Sequence, residues 1–176
     1  MIKQSKVIGL VLMLVLFCVK TNAQYASIQN TNMQIYGVLN NQKVGYTTTN
    51  YQIKLNKETG TFEIKIAVDD LIISDRPEEY KRDSTLNEGK FMIFSGTFPI
   101  KEVLGRDIST FDIQVPVEVK FNEIYDETYF TLNIFLMANG GFNVIGKGTI
   151  NHQTLQIENL ENFEDELVIN FNFVGY

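Results

Sequence analysis

Residues 110–121 constrain this chain most. Phe111, Ile113, Val115, Val117, Val119 and Phe121 alternate with Asp112, Gln114, Glu118 and Lys120. A period of two places all six apolar side chains on one face of an extended strand, whereas a helix would scatter them around its circumference. A strand this long and this one-sided needs paired neighbours and something to cover its apolar face. The same alternation recurs at 61–68, where Phe62, Ile64, Ile66 and Val68 oppose Glu63 and Lys65. Further strands are expected at 34–39, 44–49, 51–55, 91–98, 128–138, 142–150, 154–158 and 167–174, so eight to ten strands account for nearly the whole chain.

The connections between them are short. Asn40-Asn41 suits a two-residue turn with positive φ angles, Lys57-Glu58-Thr59-Gly60 a loop closing on a left-handed glycine, and Asn139-Gly140-Gly141 another tight hairpin. Such turns join antiparallel neighbours. Only 69–90 breaks the pattern, and there Arg76-Pro77-Glu78-Glu79 could open a short helix. Successive short-turn strands must hide their edges, and closure into a barrel does so completely. The expected fold is therefore all-β: an antiparallel, eight-stranded, lipocalin-like barrel with one long, partly helical connection. A two-sheet sandwich uses the same alternation and is the rival.

The first 23 residues stand outside that domain. Lys3 and Lys6 precede the apolar stretch 7–19, and Thr21-Asn22-Ala23 offers a small-x-small cleavage site, the order of a secretory signal peptide. Thirteen apolar residues fall short of the about 20 needed to span a bilayer. A lipoprotein signal would place a small residue before Cys18, but Phe17 stands there, so lipid anchoring at Cys18 is disfavoured. Cleavage after Ala23 leaves residues 24–33 as a polar, flexible lead-in and 34–176 as the barrel, in the periplasm or secreted. It also takes Lys3, Lys6 and Lys20 from the 15 basic residues, leaving 12 against 21 acidic ones, a net charge of −9. Nucleic acid is not an expected partner, because phosphate binding needs a basic surface. With Cys18 gone, disulfides and thiol chemistry are excluded from the mature domain.

No catalytic pattern emerges. The one histidine, His152, lies between Asn151 and Gln153 and is expected to be a solvated turn residue. The acidic pairs Asp69-Asp70 and Glu78-Glu79 and the run Glu164-Asp165-Glu166 lack the spacing that wraps a calcium ion. No serine has a nucleophile-elbow context. Gly140-Gly141 and Gly146-x-Gly148 lie in a hairpin and a strand, which makes them turn and close-packing glycines and not a phosphate cradle. No enzyme, metal or cofactor is expected.

The residues from Gly60 onward resemble the YceI-like family of small exported proteins. The similar parts are the opening strand Gly60-x-Phe62-x-Ile64-x-Ile66, the charged segment 76–88, and the strand Phe94-Ser95-Gly96 that follows it. The long strand 110–121 and the closing apolar strand 167–174 come in the family's order. The resemblance implies a lipocalin-like barrel that holds a hydrophobic or amphiphilic small molecule, such as a polyprenyl chain, quinone or fatty acid. Its candidate apolar lining is Phe62, Ile64, Ile66, Phe94, Phe111, Ile113, Val115 and Phe135. The alternatives are a structural or protein-interaction domain of the cell envelope with a solid core, and a small outer-membrane β-barrel. Strand 128–138 is apolar on one face and mixed on the other, so it either meets a second layer or forms part of an interface, and a homodimer through it is a hypothesis.

Overall fold

The computed structural model describes residues 25–39, 41–48, 51–68, 72–74, 89–104, 110–157, 164 and 166–176. The proposed signal segment, Cys18, Pro77 and most of the long connection lie outside the described residues. Ten strands form one antiparallel sheet: β1 (Ile28–Leu39), β2 (Gln42–Thr48), β3 (Tyr51–Leu55), β4 (Thr61–Ala67), β5 (Ile72–Ser74), β6 (Phe91–Thr97), β7 (Thr110–Phe121), β8 (Ile124–Leu136), β9 (Phe142–Asn151) and β10 (Glu166–Gly175). Their lateral order is β3-β4-β6-β7-β8-β9-β10-β1-β2-β5. A short helix, α1 (Ile100–Leu104), follows β6.

The sheet curls into a half-barrel with its apolar face inward. One sheet, not two, covers the core, which removes the sandwich. The β3 edge reaches the residues leading into β1: Tyr25 bridges Asn56, and the Ala26 amide donates to the Leu55 carbonyl at 2.9 Å. Further along, β1 exchanges this neighbour for β2, beginning at Met33 opposite Thr48. Between the two partners its pairing with β10 shifts, with a bulge between Gln29 and Asn32. A bulge bends its strand and increases its twist, which lets one strand serve two neighbours on the same edge.

Tyr51 locks this junction. Its hydroxyl donates to the Asn172 carbonyl on β10 at 3.3 Å, and Thr31 in the bulge also bonds it. Burial pushes the phenol up to about 12, with the Thr31 bond opposing the shift. The folded state thus holds the Tyr51 proton more tightly than the unfolded chain, so the stabilisation is intact below pH 10 and is lost as pH rises towards 12. Urea unfolding from pH 9 to 12 should show stability falling at up to about 1.4 kcal/mol per pH unit from this group. Tyr51→Phe should flatten that part of the curve, and an unchanged slope would refute the assignment.

Several expectations need correction. The sheet has ten strands where an eight-stranded barrel was expected, with β5 on the edge beyond β2, and β1 starts at Ile28, inside the segment expected to be a flexible lead-in. Residues 154–158 were expected as a strand, but 152–156 are a turn, closed by Leu155 N to Asn151 O and Ile157 N to His152 O. α1 was not expected, since a five-residue helix is too short to show a period. The turn residues behave as anticipated: Asn41, Gly60 and Gly140 have φ of 62°, 77° and 79°.

Candidate functional site: the apolar interior

Inward-facing side chains alternate along every central strand, and among the described residues only Thr48 and His152 are buried polar ones. The interior is filled by a run of rings contributed by different strands. Phe94 (β6) meets Phe130 (β8) at 5.6 Å between centroids, and Phe130 meets Phe171 (β10) at 5.3 Å. Phe171 stacks on Phe173 at 6.2 Å, Phe173 meets Phe142 (β9) edge-on at 6.3 Å, and Phe142 stacks on Phe98 at 6.1 Å. These separations suit the tilted and offset arrangements that aromatic rings prefer.

The rings fit because β9 gives way beneath them. Phe171 lies opposite Gly146, and a side chain added at Gly146 would collide with that ring. A side chain added at Gly148 would collide with Phe130 in the same manner. Two rings from the flanking strands therefore meet over a floor of bare backbone, as expected of close-packing glycines in a strand.

Both ends are covered. At the lower end, towards the start of β7, Phe98, Ile100 and Val103 are buried, and the Phe98 amide donates to the Gly60 carbonyl at 2.8 Å. At the upper end the turn after β9 buries Leu155, Ile157 and His152. His152 is thus not the solvated residue expected: it is 2% exposed, and its Nε2 lies 3.0 Å from the Glu164 carbonyl, which it can reach only as a donor. The adjacent polar residues Asn151 and Gln153 hid a ring that points inward. No group of three His, Cys, Asp or Glu among the described residues is placed to share a metal ion.

The anticipated lining divides into three groups. Ile64, Ile66, Phe94 and Val115 are fully buried on the inner face. Phe62, Phe111 and Ile113 pack against the core but stay half-buried. Phe135 is misplaced: Ile134 takes the inward position, and Phe135 stands on the outer face, 37% exposed. Strand 128–138 is apolar on both faces near that point, so alternation alone could not tell which side was in.

The half-buried residues cluster for a reason. β6 pairs with β7 only from Met92 opposite Phe121 to Gly96 opposite Val117. Below that point β6 leaves for Phe98 and α1, while β7 continues down to Thr110 paired only to β8 among the described strands. Phe111 and Ile113 lie on the inner face of this lower half, beside a break in the wall. Gly96 stands where the strands part, and a Cβ there would lie 2.7 Å from the Pro116 carbonyl and 2.9 Å from the Phe62 ring.

The outer face carries Asp112, Gln114, Glu118, Glu127 and Lys147 at exposed positions. A membrane-spanning barrel needs an apolar outer band, so this polarity is opposite in sense to that architecture.

No family model matches the sequence, and no curated protein matches it. Among solved structures, a polyisoprenoid-binding domain from Saccharophagus degradans implicated in plant cell wall breakdown is similar, with a TM-score of 0.66 over 86% of this chain and 96% of that chain. Sequence identity over the match is 8%. The two chains share a fold.

Proposed function

We propose that this protein is an exported, non-enzymatic carrier of the YceI-like type that binds a polyprenyl-like or other amphiphilic chain in its interior. The observation that carries this reading is the shared fold with a polyisoprenoid-binding domain across almost the whole of both chains. The apolar interior supports it, since ligand sites for such chains are mostly hydrocarbon with few polar groups. In this reading the chain enters beside the lower half of β7, where Phe62, Phe111 and Ile113 are half-buried, and runs inward past Ile64, Ile66, Phe94 and Val115. Their role is burial, at about 25 cal/mol per Å² removed from water.

A second reading has its own observation. The run of rings from Phe94 to Phe98 packs the interior from one end to the other, as a solid-core structural or interaction domain of the cell envelope would. Native mass spectrometry of the chain from Gln24, purified from the exported compartment, separates the two. A lipid mass that stays with the folded protein and leaves on denaturation is the expected result. A bare mass that persists after incubation with polyprenyl phosphates, quinones and fatty acids would leave the solid-core reading.

A further inference from the structure

We propose that the lower rim of the barrel, around the β8–β9 turn, docks onto a lipid bilayer surface. The inference goes beyond the cargo reading and is tested without any cargo.

Three stretches of the sequence, 25–42, 128–146 and 167–176, contain no charged residue. The fold lays them side by side, since they supply β1, β8, the lower half of β9 and β10, which are consecutive in the sheet. At the lower end of this wall the outer face becomes apolar. Phe135 and Val174 both pair with Asn143, and Ile145 lies two residues further along β9 on the same face. Tyr176 is fastened beside them by reciprocal backbone hydrogen bonds with Ser27 at 3.1 and 3.2 Å. Phe135, Tyr176, Ile145 and Tyr25 are 37%, 42%, 47% and 52% exposed.

Elsewhere Phe91 and Tyr125 lie under Lys65 at 3.7 Å and Lys120 at 5.0 Å, and half-buried Tyr36 under Lys43 at 3.9 Å, while Tyr129, 66% exposed, stands alone among the described residues on the upper half of β8. Among the described residues the lower-rim side chains have no such cover. The turn between them is also suited to a medium poor in hydrogen-bond partners. Met137 N donates to Gly141 O at 2.8 Å, Gly140 N to Met137 O at 3.0 Å and Gly141 N to Asn139 Oδ1 at 3.0 Å. A backbone satisfied internally can enter the headgroup region at little cost.

Charge settles the orientation and the kind of surface. The far end of the wall carries Glu118, Glu123, Asp126, Glu127, Glu164 and Glu166 against Lys43 and Lys120. These carboxylates lie roughly 20–40 Å from Phe135 and Ile145 along the strands at about 3.3 Å per residue, more than two Debye lengths at physiological salt. A lipid surface meeting the uncharged β8–β9–β10 corner of the rim therefore keeps the acidic end in water. Charge also stands at this end: Lys101 and Glu102 on α1, Lys57 and Glu58 in the turn after Asn56, which bridges Tyr25, and Asp112, which accepts from Asn133 Nδ2 at 2.6 Å, so the apolar contact is confined to the corner formed by Phe135, Ile145 and Tyr176. Even with Tyr25 counted, these side chains expose roughly 300–400 Å², far below the ~800 Å² per partner of a stable protein interface, so a second copy fits less well than a bilayer.

All described elements lie within residues 25–176, so the chain from Gln24 is the test protein. It should co-sediment saturably with phosphatidylcholine vesicles, and less so as phosphatidylglycerol is added at low salt. The double variant F135S/I145S should keep its Tm and bind phosphatidylcholine vesicles about tenfold more weakly. Absent binding by the parent chain, or equal binding by the variant, would overturn the proposal. A concentration-dependent dimer in analytical ultracentrifugation that the same variant abolishes, without vesicle binding, would assign the patch to a second copy and overturn it as well.

Discussion

Phe130→Ala is expected to cost about 3–5 kcal/mol of stability, the range for removing a buried ring whose neighbours cannot close over the gap. Phe130 touches Phe94 and Phe171 at once, and its ring lies on Gly148. Those supports are fixed on three different strands, so relaxation would require the strands themselves to move. Urea unfolding should show a lower midpoint with an unchanged m-value, because the surface exposed on unfolding hardly alters. The cavity should be dry and apolar, and small hydrocarbons such as benzene should recover part of the loss by binding the folded state. A cost below about 1 kcal/mol would mean that the interior is loosely filled and that the run of rings does not organise it.

Gly60→Ala is expected to be as damaging, by about 3 kcal/mol or more, for a different reason. Gly60 has φ of 77°, which costs a residue with a Cβ about 1–2 kcal/mol. The new methyl would also run into the backbone carbonyl of Phe98. A carbonyl held by its own chain cannot swing away as a ring edge can. The same contact anchors the lower lid, because Phe98 N bonds Gly60 O at 2.8 Å and Phe98 leads directly into α1. The variant should therefore both lose stability and bind a surface-sensitive apolar dye as the lid lifts. Gly140→Ala is the matched control: its φ is 79°, but nothing lies within 4 Å of the added Cβ, so it should cost only about 1 kcal/mol. Equal losses in the two variants would show that backbone conformation, and not the lid contact, governs both.

The interior was legible only in part. Ile64, Ile66 and Val115 are buried as alternation required, because on strands with one apolar and one charged face only one choice of inward side avoids burying charge. Phe135 failed where that discrimination fails, on a strand with apolar residues on both faces. His152 failed because its polar neighbours describe the turn and not the direction of its ring. The break below Gly96 left no trace in the sequence at all. It arises because β6 and β7 differ in length, and a strand's length says nothing about where its partner stops.

Alternation and turn residues determined by themselves that this chain is built from antiparallel strands around an apolar core, since those depend on residue order and local backbone preference alone. Only the tertiary structure decided that one sheet curls instead of two sheets stacking, that β1 changes partner at a bulge, that two glycines of β9 form the floor for Phe130 and Phe171, and that three uncharged stretches far apart in sequence make one wall. These depend on register and on contacts between distant residues. A period of two fixes which way a side chain faces relative to its strand, and nothing in it fixes which other strand will lie beside it.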